Sequence, residues 1–188
     1  AEIVRLATEA EAEAARIRAT ADVDALRVRS ENANAYAQHP ALLRLQELLG
    51  SDNAISREAF DRYKMDVAYS RRSGLAKRVA TLLDGPQPGS PRLREALLAL
   101  GRWDLSANPE NPLAALALFT LRPRFDNLPP PTDRSDLLGA LEASAERLRE
   151  SFGRRDVPWS EVLRLRRGTL DLGLGGAPDT LRAIYSRP

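Results

Sequence analysis

The chain has 188 residues, 43% of them hydrophobic, which is enough for one modest core and an appendage. Its 28 Lys and Arg stand against 26 Asp and Glu, a formal net charge of +2, and the two signs are interleaved, which excludes the basic stripe of a nucleic-acid binder. Cysteine is absent, so disulfides, thiolate catalysis and Cys-ligated zinc are excluded, and no apolar run approaches the ~20 residues of a membrane-spanning helix.

Residues 1–38 contain neither Gly nor Pro and are rich in Ala, Glu and Arg, which predicts one long helix. Its apolar positions are Ile3, Leu6, Ala10, Ala14, Ile17, Ala21, Ala25 and Val28, then Tyr36, and Asn32 interrupts the row. An 11-residue unit relates Ile3, Ala14, Ala25 and Tyr36, and again Leu6, Ile17 and Val28. Such a unit averages about 3.67 residues per turn and favours a straight or slightly right-handed bundle. At about 1.5 Å per residue the helix would extend roughly 55 Å. A narrow stripe made mostly of Ala buries little, so the helix is expected to seek copies of itself. Ala1 leads straight into this charged repeat, without the pattern of a secretory leader. The start at Ala rather than Met reads as a fragment. His39, the single histidine, precedes Pro40, where the long helix should end or kink. It reads as a boundary residue, not as a base or metal ligand.

Beyond Gly50, prolines and glycines punctuate short helices. Residues 56–70 open on a Ser cap, with Phe60, Tyr63 and Val67 at helical spacing. Residues 73–85 end at a Gly. Residues 90–104 start with Ser at the cap and Pro in the first turn, a strong start signal. Residues 111–125 are nearly all apolar and should form the most buried helix. The triple proline at 129–131 reads as a rigid connector. Residues 133–153 place Leu138, Leu141, Ala145, Leu148 and Phe152 on one face. Only residues 161–175 read as extended, a small hairpin broken at Gly168. The expected fold is mainly α: a long N-terminal coiled-coil-like helix (residues 1–47), then a small multi-helix domain with a short β-hairpin near its C-terminus (residues 48–188).

The cluster Gly173, Gly175 and Gly176 resembles a phosphate loop only in glycine content. A P-loop needs Lys and Ser or Thr next, whereas Ala177, Pro178 and Asp179 follow. A dinucleotide fingerprint needs a β-α-β unit and an acid about 20 residues on. The glycines are therefore expected to carry the backbone through turns closed to other residues, with Pro178 and Asp179 opening a turn or short helix. No cofactor is implied. Glu58, Asp61 and Asp66 could be imagined as an acid pair or metal site, but solvated helix faces explain them better. Residues 71–78, with four basic side chains, are a candidate anion patch or a solvated loop.

Two stretches resemble known families. Residues 11–49, ending in His39-Pro40-Ala41-Leu42-Leu43-Arg44-Leu45, look like the coiled tail that follows the core domain in the stomatin, prohibitin and flotillin superfamily. Residues 152–186, "FGRRDVPWSEVLRLRRGTLDLGLGGAPDTLRAIYS", look like a characteristic phrase of the penicillin amidase family, in its acyl-homoserine-lactone acylase-like branch. Residues 48–79 and 97–104 fit the helical region of the same family in the right order. That resemblance implies an N-terminal-nucleophile amide hydrolase. A precursor cuts itself, the new leading Ser attacks with its own amine as base, and backbone N–H groups with an Asn hold the oxyanion. None of those catalytic residues carries over, because Ala1 offers an amine and no nucleophile. The expectation is a piece inactive alone, completed by a catalytic segment supplied elsewhere. The alternative is an oligomerising scaffold tail that self-associates through residues 1–38, or a chimeric frame. The phrase maps onto Trp159, Arg166, Gly168, Asp171, Gly175, Gly176, Asp179 and Arg182. Trp159 is a candidate for lining an acyl pocket, with a core role as the alternative. The others read as architecture, Asp179 and Arg182 as an (i, i+3) pair.

Overall fold

A computed structural model describes Arg16, Thr20, Asp24, Arg27, residues 39–121 and residues 130–181. The chain divides into two compact units, Ala1–Gln38 and His39–Pro188. In the first, Arg16, Thr20, Asp24 and Arg27 are helical and exposed. The Thr20 hydroxyl donates to the Arg16 carbonyl at 3.0 Å, and Arg27 pairs with Asp24 at 3.3 Å. The apolar positions of the 11-residue pattern, and with them the coiled-coil expectation, lie outside the described residues.

The second unit is mainly helical. Its elements are α1 (Pro40–Gly50), α2 (Arg57–Lys64), α3 (Gly74–Leu83), α4 (Pro91–Gly101), α5 (Ala114–Leu121), α6 (Arg134–Phe152), α7 (Trp159–Val162), β1 (Arg164–Arg167) and β2 (Leu170–Gly173). Their starts follow from local chemistry. Ser56, Ser73, Ser90 and Asp133 each cap a helix by accepting a backbone N–H from the third residue on. His39 takes the same place before α1: its backbone is extended, as the residue before Pro must be, and its Nδ1 accepts from Ala41 N–H at 3.3 Å. Gly153, with φ +72°, closes α6 and donates to the Arg149 carbonyl at 2.8 Å.

The core is built around α5, whose every residue except Phe119 is buried. It lies against α6, which presents Leu137, Leu141, Ser144, Ala145 and Leu148, and α3 and α4 pack on the same centre. Ala114, Ala115, Ala117, Ala96, Ala99 and Ala145 are all buried, and small side chains at these positions let the backbones approach closely. Thr120 is wholly buried, yet its hydroxyl donates to the Leu116 carbonyl at 2.7 Å, so no polar group is stranded there.

The sequence expectation fails at α2. The helix stops at Lys64, Phe60 is 59% exposed and the buried residue is Ala59. Instead of continuing, the chain turns extended, because its backbone finds partners elsewhere: Tyr69 N–H donates to Leu105 O at 2.8 Å and Ala107 N–H to Val67 O at 3.0 Å. Asp66 secures the same stretch by accepting both Nε and Nη2 of Arg44, at 3.0 and 2.8 Å, which ties α1 to the domain. The texture change at residues 47–48 falls inside α1, which belongs to the second unit.

Candidate functional site

The residues of the amidase-like phrase gather where the hairpin meets the loop before α5. Pro158 stands at the N-cap, its carbonyl accepting from Glu161 N–H at 2.9 Å, and Trp159 opens the single turn of α7. β1 and β2 then pair antiparallel, with Arg164 opposite Gly173, Leu165 opposite Leu172, Arg166 opposite Asp171 and Arg167 opposite Leu170. Two residues join them, and Gly168 comes first with φ +59°, the pattern of a type II′ hairpin turn. One face of the hairpin is ionic. Arg164 Nε donates to Asp171 Oδ1 at 2.7 Å and Arg166 Nε lies 3.4 Å from the same oxygen. The Arg164 bond, aided by both positive charges, holds the Asp171 carboxyl below its ordinary range. The other face carries Leu165, Leu170 and Leu172, all between 43% and 49% exposed, with Arg167 opposite Leu170 at its tip.

The three glycines solve three different problems. A Cβ on Gly173 would stand 2.6 Å from Ser160 Cβ and 2.8 Å from its carbonyl oxygen. One on Gly175 would stand 2.6 Å from Cδ of Pro109. Only Gly176 needs the left-handed region, at φ +86°. The expectation of special turns therefore holds for Gly176; close approach of backbones explains Gly173 and Gly175. Gly176 N–H donates to Ala107 O at 2.9 Å, and its carbonyl accepts the Trp159 indole N–H at 2.8 Å. Trp159 is 2% exposed and sets its edge to Phe119, centroids 6.2 Å apart at 73°. Ser160 N–H donates to Pro109 O at 2.9 Å, and Leu174 N–H to Leu163 O at 2.8 Å. Residues 105–109 thus bond residues 67–69 on one side and the end of the phrase on the other.

The loop closes in a turn with Pro178 second and Asp179 third, where φ is +68°, as in a type II turn. Thr180 Oγ1 donates to Ala177 O at 2.9 Å. Around Asp179 stand three polar side chains. His39 Nε2 is 3.9 Å from Asp179 Oδ1. The Tyr69 hydroxyl donates to Pro178 O at 2.6 Å, and burial pushes its ionisation far above the ordinary tyrosine range. Arg78 is half-buried, its Nε is without a hydrogen bond, and burial lowers its affinity for the proton against the opposing pull of Asp179 and Tyr69. Arg182 lies outside the described residues.

Several polar side chains of this cluster hold backbone. His39 spends Nδ1 on the α1 cap. The Ser70 hydroxyl donates to Glu47 Oε1 at 2.7 Å, and Ser73 Oγ accepts from Ala76 N–H. Among the described residues, no group of three or more His, Asp and Glu is arranged to hold a metal ion. Asp66 is engaged by Arg44, while Glu58 sits exposed at the start of α2 beside Ser56. The basic side chains of residues 71–78 do not converge: Arg72 turns to Glu47 and Gln46, Arg78 turns inward and Lys77 is exposed. No sequence signal marks Tyr69 for this place, since the spacing of Phe60, Tyr63 and Val67 predicts a helix through it. No helix of the described residues is long and apolar enough to cross a membrane. No protein-family model matches this chain, and a search of curated proteins finds no match.

Proposed function

We propose that residues 48–188 are a non-catalytic part of a penicillin-amidase-like acylase, its helical region with the β-link, which works only when a partner segment supplies the nucleophile. The observation that supports this reading most directly is the hairpin. Its root is fixed by Trp159, Gly173 and Leu174, while Leu165, Leu170 and Leu172 present an uncovered apolar face. A two-stranded sheet with a bare leucine face is a surface on which a larger sheet of the same enzyme can be laid. In this reading the chain contributes shape and the partner contributes chemistry. The test is turnover of a long-chain acyl amide by the purified chain. No release of free acid above buffer is expected. Release that disappears on replacing His39 or another hydroxyl-bearing or basic residue of the chain would refute it.

A second reading rests on the 11-residue repeat of residues 1–38: a scaffold tail that self-associates, with the second unit as cargo. Light scattering across concentration separates the two. A strict monomer at high micromolar concentration removes the scaffold reading, and a concentration-dependent oligomer supports it.

A further inference from the structure

On the side of α4 opposed to the C-terminal end of α6 lies a cleft of about 510 Å³ that the acylase reading does not use. Its walls follow from two sequence features. Arg92, Glu95, Ala99 and Arg102 recur at steps of three, four and three, so α4 and its C-cap present them on one face. Gly153, left-handed, reverses the chain after α6 and delivers Arg154 and Arg155 to the facing wall, beside Arg149 of the last turn. Five guanidinium groups therefore line one cavity, against Glu95 and Asp156 in its walls and Glu146 and Glu161 paired to Arg149 and Arg154. The local surplus is one positive charge, with Arg92 and Arg102 as the two guanidinium groups that no carboxylate pairs among the described residues.

The arginines are not consumed by the fold. Arg155 pairs with Glu95 at 2.8 Å, Arg149 with Glu146 at 2.9 Å and Arg154 with Glu161 at 2.6 Å, each through a single nitrogen. A guanidinium has five N–H donors, so each keeps donors to spare. Arg92 and Arg102 have no ion pair or side-chain hydrogen bond within the described residues. Cations gathered this closely repel one another, and no core contact requires Arg92 or Arg102 to be charged. The shallower neighbouring hollow shares Glu95, Arg102 and Arg155 and adds Leu98, 59% exposed, as an apolar wall.

We propose that this cleft binds an oxyanion of the phosphate class carrying at least two negative charges, borne on a larger molecule whose body lies along Leu98. A monocarboxylate brings one charge and two acceptor oxygens; a phosphate group brings more of both and matches forked guanidinium donors. The space exceeds what a lone phosphate fills, which leaves room for a second phosphate or an organic body.

The test uses the full chain. Inorganic pyrophosphate is titrated calorimetrically at low ionic strength, and phosphatidylcholine vesicles with and without phosphatidic acid are used for co-sedimentation. Saturable one-to-one pyrophosphate binding that weakens with salt is expected. The double variant R92E/R102E should lower that affinity by about tenfold or more while leaving the melting temperature unchanged, since neither side chain makes an internal bond. R92Q/R102Q should give the same ordering if charge reversal perturbs folding. R71E/K77E, on the other basic stretch, should bind as the parent does. Co-sedimentation with phosphatidic acid alone would assign the phosphate to a lipid headgroup, and pyrophosphate binding alone would assign it to a soluble ligand; both support the cleft. Binding of neither probe, or an equal loss in R71E/K77E, overturns it.

Discussion

Replacing Trp159 with Phe separates a core role from a substrate-facing one. The indole N–H donates to Gly176 O at 2.8 Å, and the side chain is 2% exposed. Phe retains an aromatic edge for Phe119 but removes the donor and part of the ring volume. A buried carbonyl left without its partner costs about 1–3 kcal/mol. The space vacated by the smaller ring adds about 1 kcal/mol, at roughly 24 cal/mol per Å³ of cavity. The expected loss is therefore about 2–4 kcal/mol. With a urea dependence of about 2 kcal/mol per molar, the unfolding midpoint should fall by about 1–2 M. Circular dichroism follows the helices, and Trp103, the other of the two tryptophans, reports on the core by fluorescence. A midpoint shift below about 0.3 M would refute the reasoning, because it would mean that the indole bond and its packing contribute almost nothing. If, in addition, a long-chain fatty acid raised the melting temperature of the parent but not of the variant, Trp159 would be lining a pocket.

Gly175→Ala places a Cβ 2.6 Å from Pro109 Cδ and should cost about 1–3 kcal/mol by denaturant titration, since a proline ring gives way poorly. Gly139→Ala, in the middle of exposed α6 surface with nothing within 4 Å, should stabilise by about 0.5–1 kcal/mol in the same assay. Asp171 should titrate by ¹³C NMR below the ordinary carboxylate range and move back up in Arg164→Gln. Its contribution to the hairpin is present above the ordinary carboxylate value and lost as pH falls through the depressed one. Tyr69 works in the opposite direction: its phenol is held protonated, so its contribution is full below pH about 10 and declines above it by about 1.4 kcal/mol per pH unit. Thermal melts of Tyr69→Phe should therefore show a shallower alkaline decline than the parent.

The helices were legible where their signals are local. Ser56 and Ser90 announced their caps, and the apolar run of residues 111–125 announced the buried α5. The hairpin was legible from Gly168 and the alternation around it. What stayed hidden was non-local. Residues 66–69 carry helical spacing, but they are drawn into extended pairing by residues 105–107, almost forty positions away. No periodicity encodes that competition. The arginine cleft was equally hidden, because Arg92 and Arg102 reach Arg154 and Arg155 only through the reversal at Gly153. Residues 71–78, the basic run that did stand out, splay apart once folded.

The distribution of polar bonds bears on how the second unit would engage a partner. Around the hairpin, directed bonds are concentrated at the root: Ser160 to Pro109, Leu174 to Leu163, Trp159 to Gly176 and Gly176 to Ala107. A hairpin this short has little stability of its own, so these bonds, with Gly173 lodged against Ser160, are what hold it out from the helices. Its leucine face remains bare while its opposite face is stitched by Arg164, Arg166 and Asp171. A surface already ordered in this way loses little conformational freedom when it is covered, and most of the burial energy then goes into association. On the proposed reading, loosening the root should therefore weaken assembly with a catalytic partner more than trimming one leucine does. Gly173→Ala, which drives a Cβ into Ser160, should reduce partner binding further than Leu170→Ala, measured by surface plasmon resonance against the candidate segment. The reverse ranking would show that the leucines act as independent contacts and that the root's order is irrelevant to the interface.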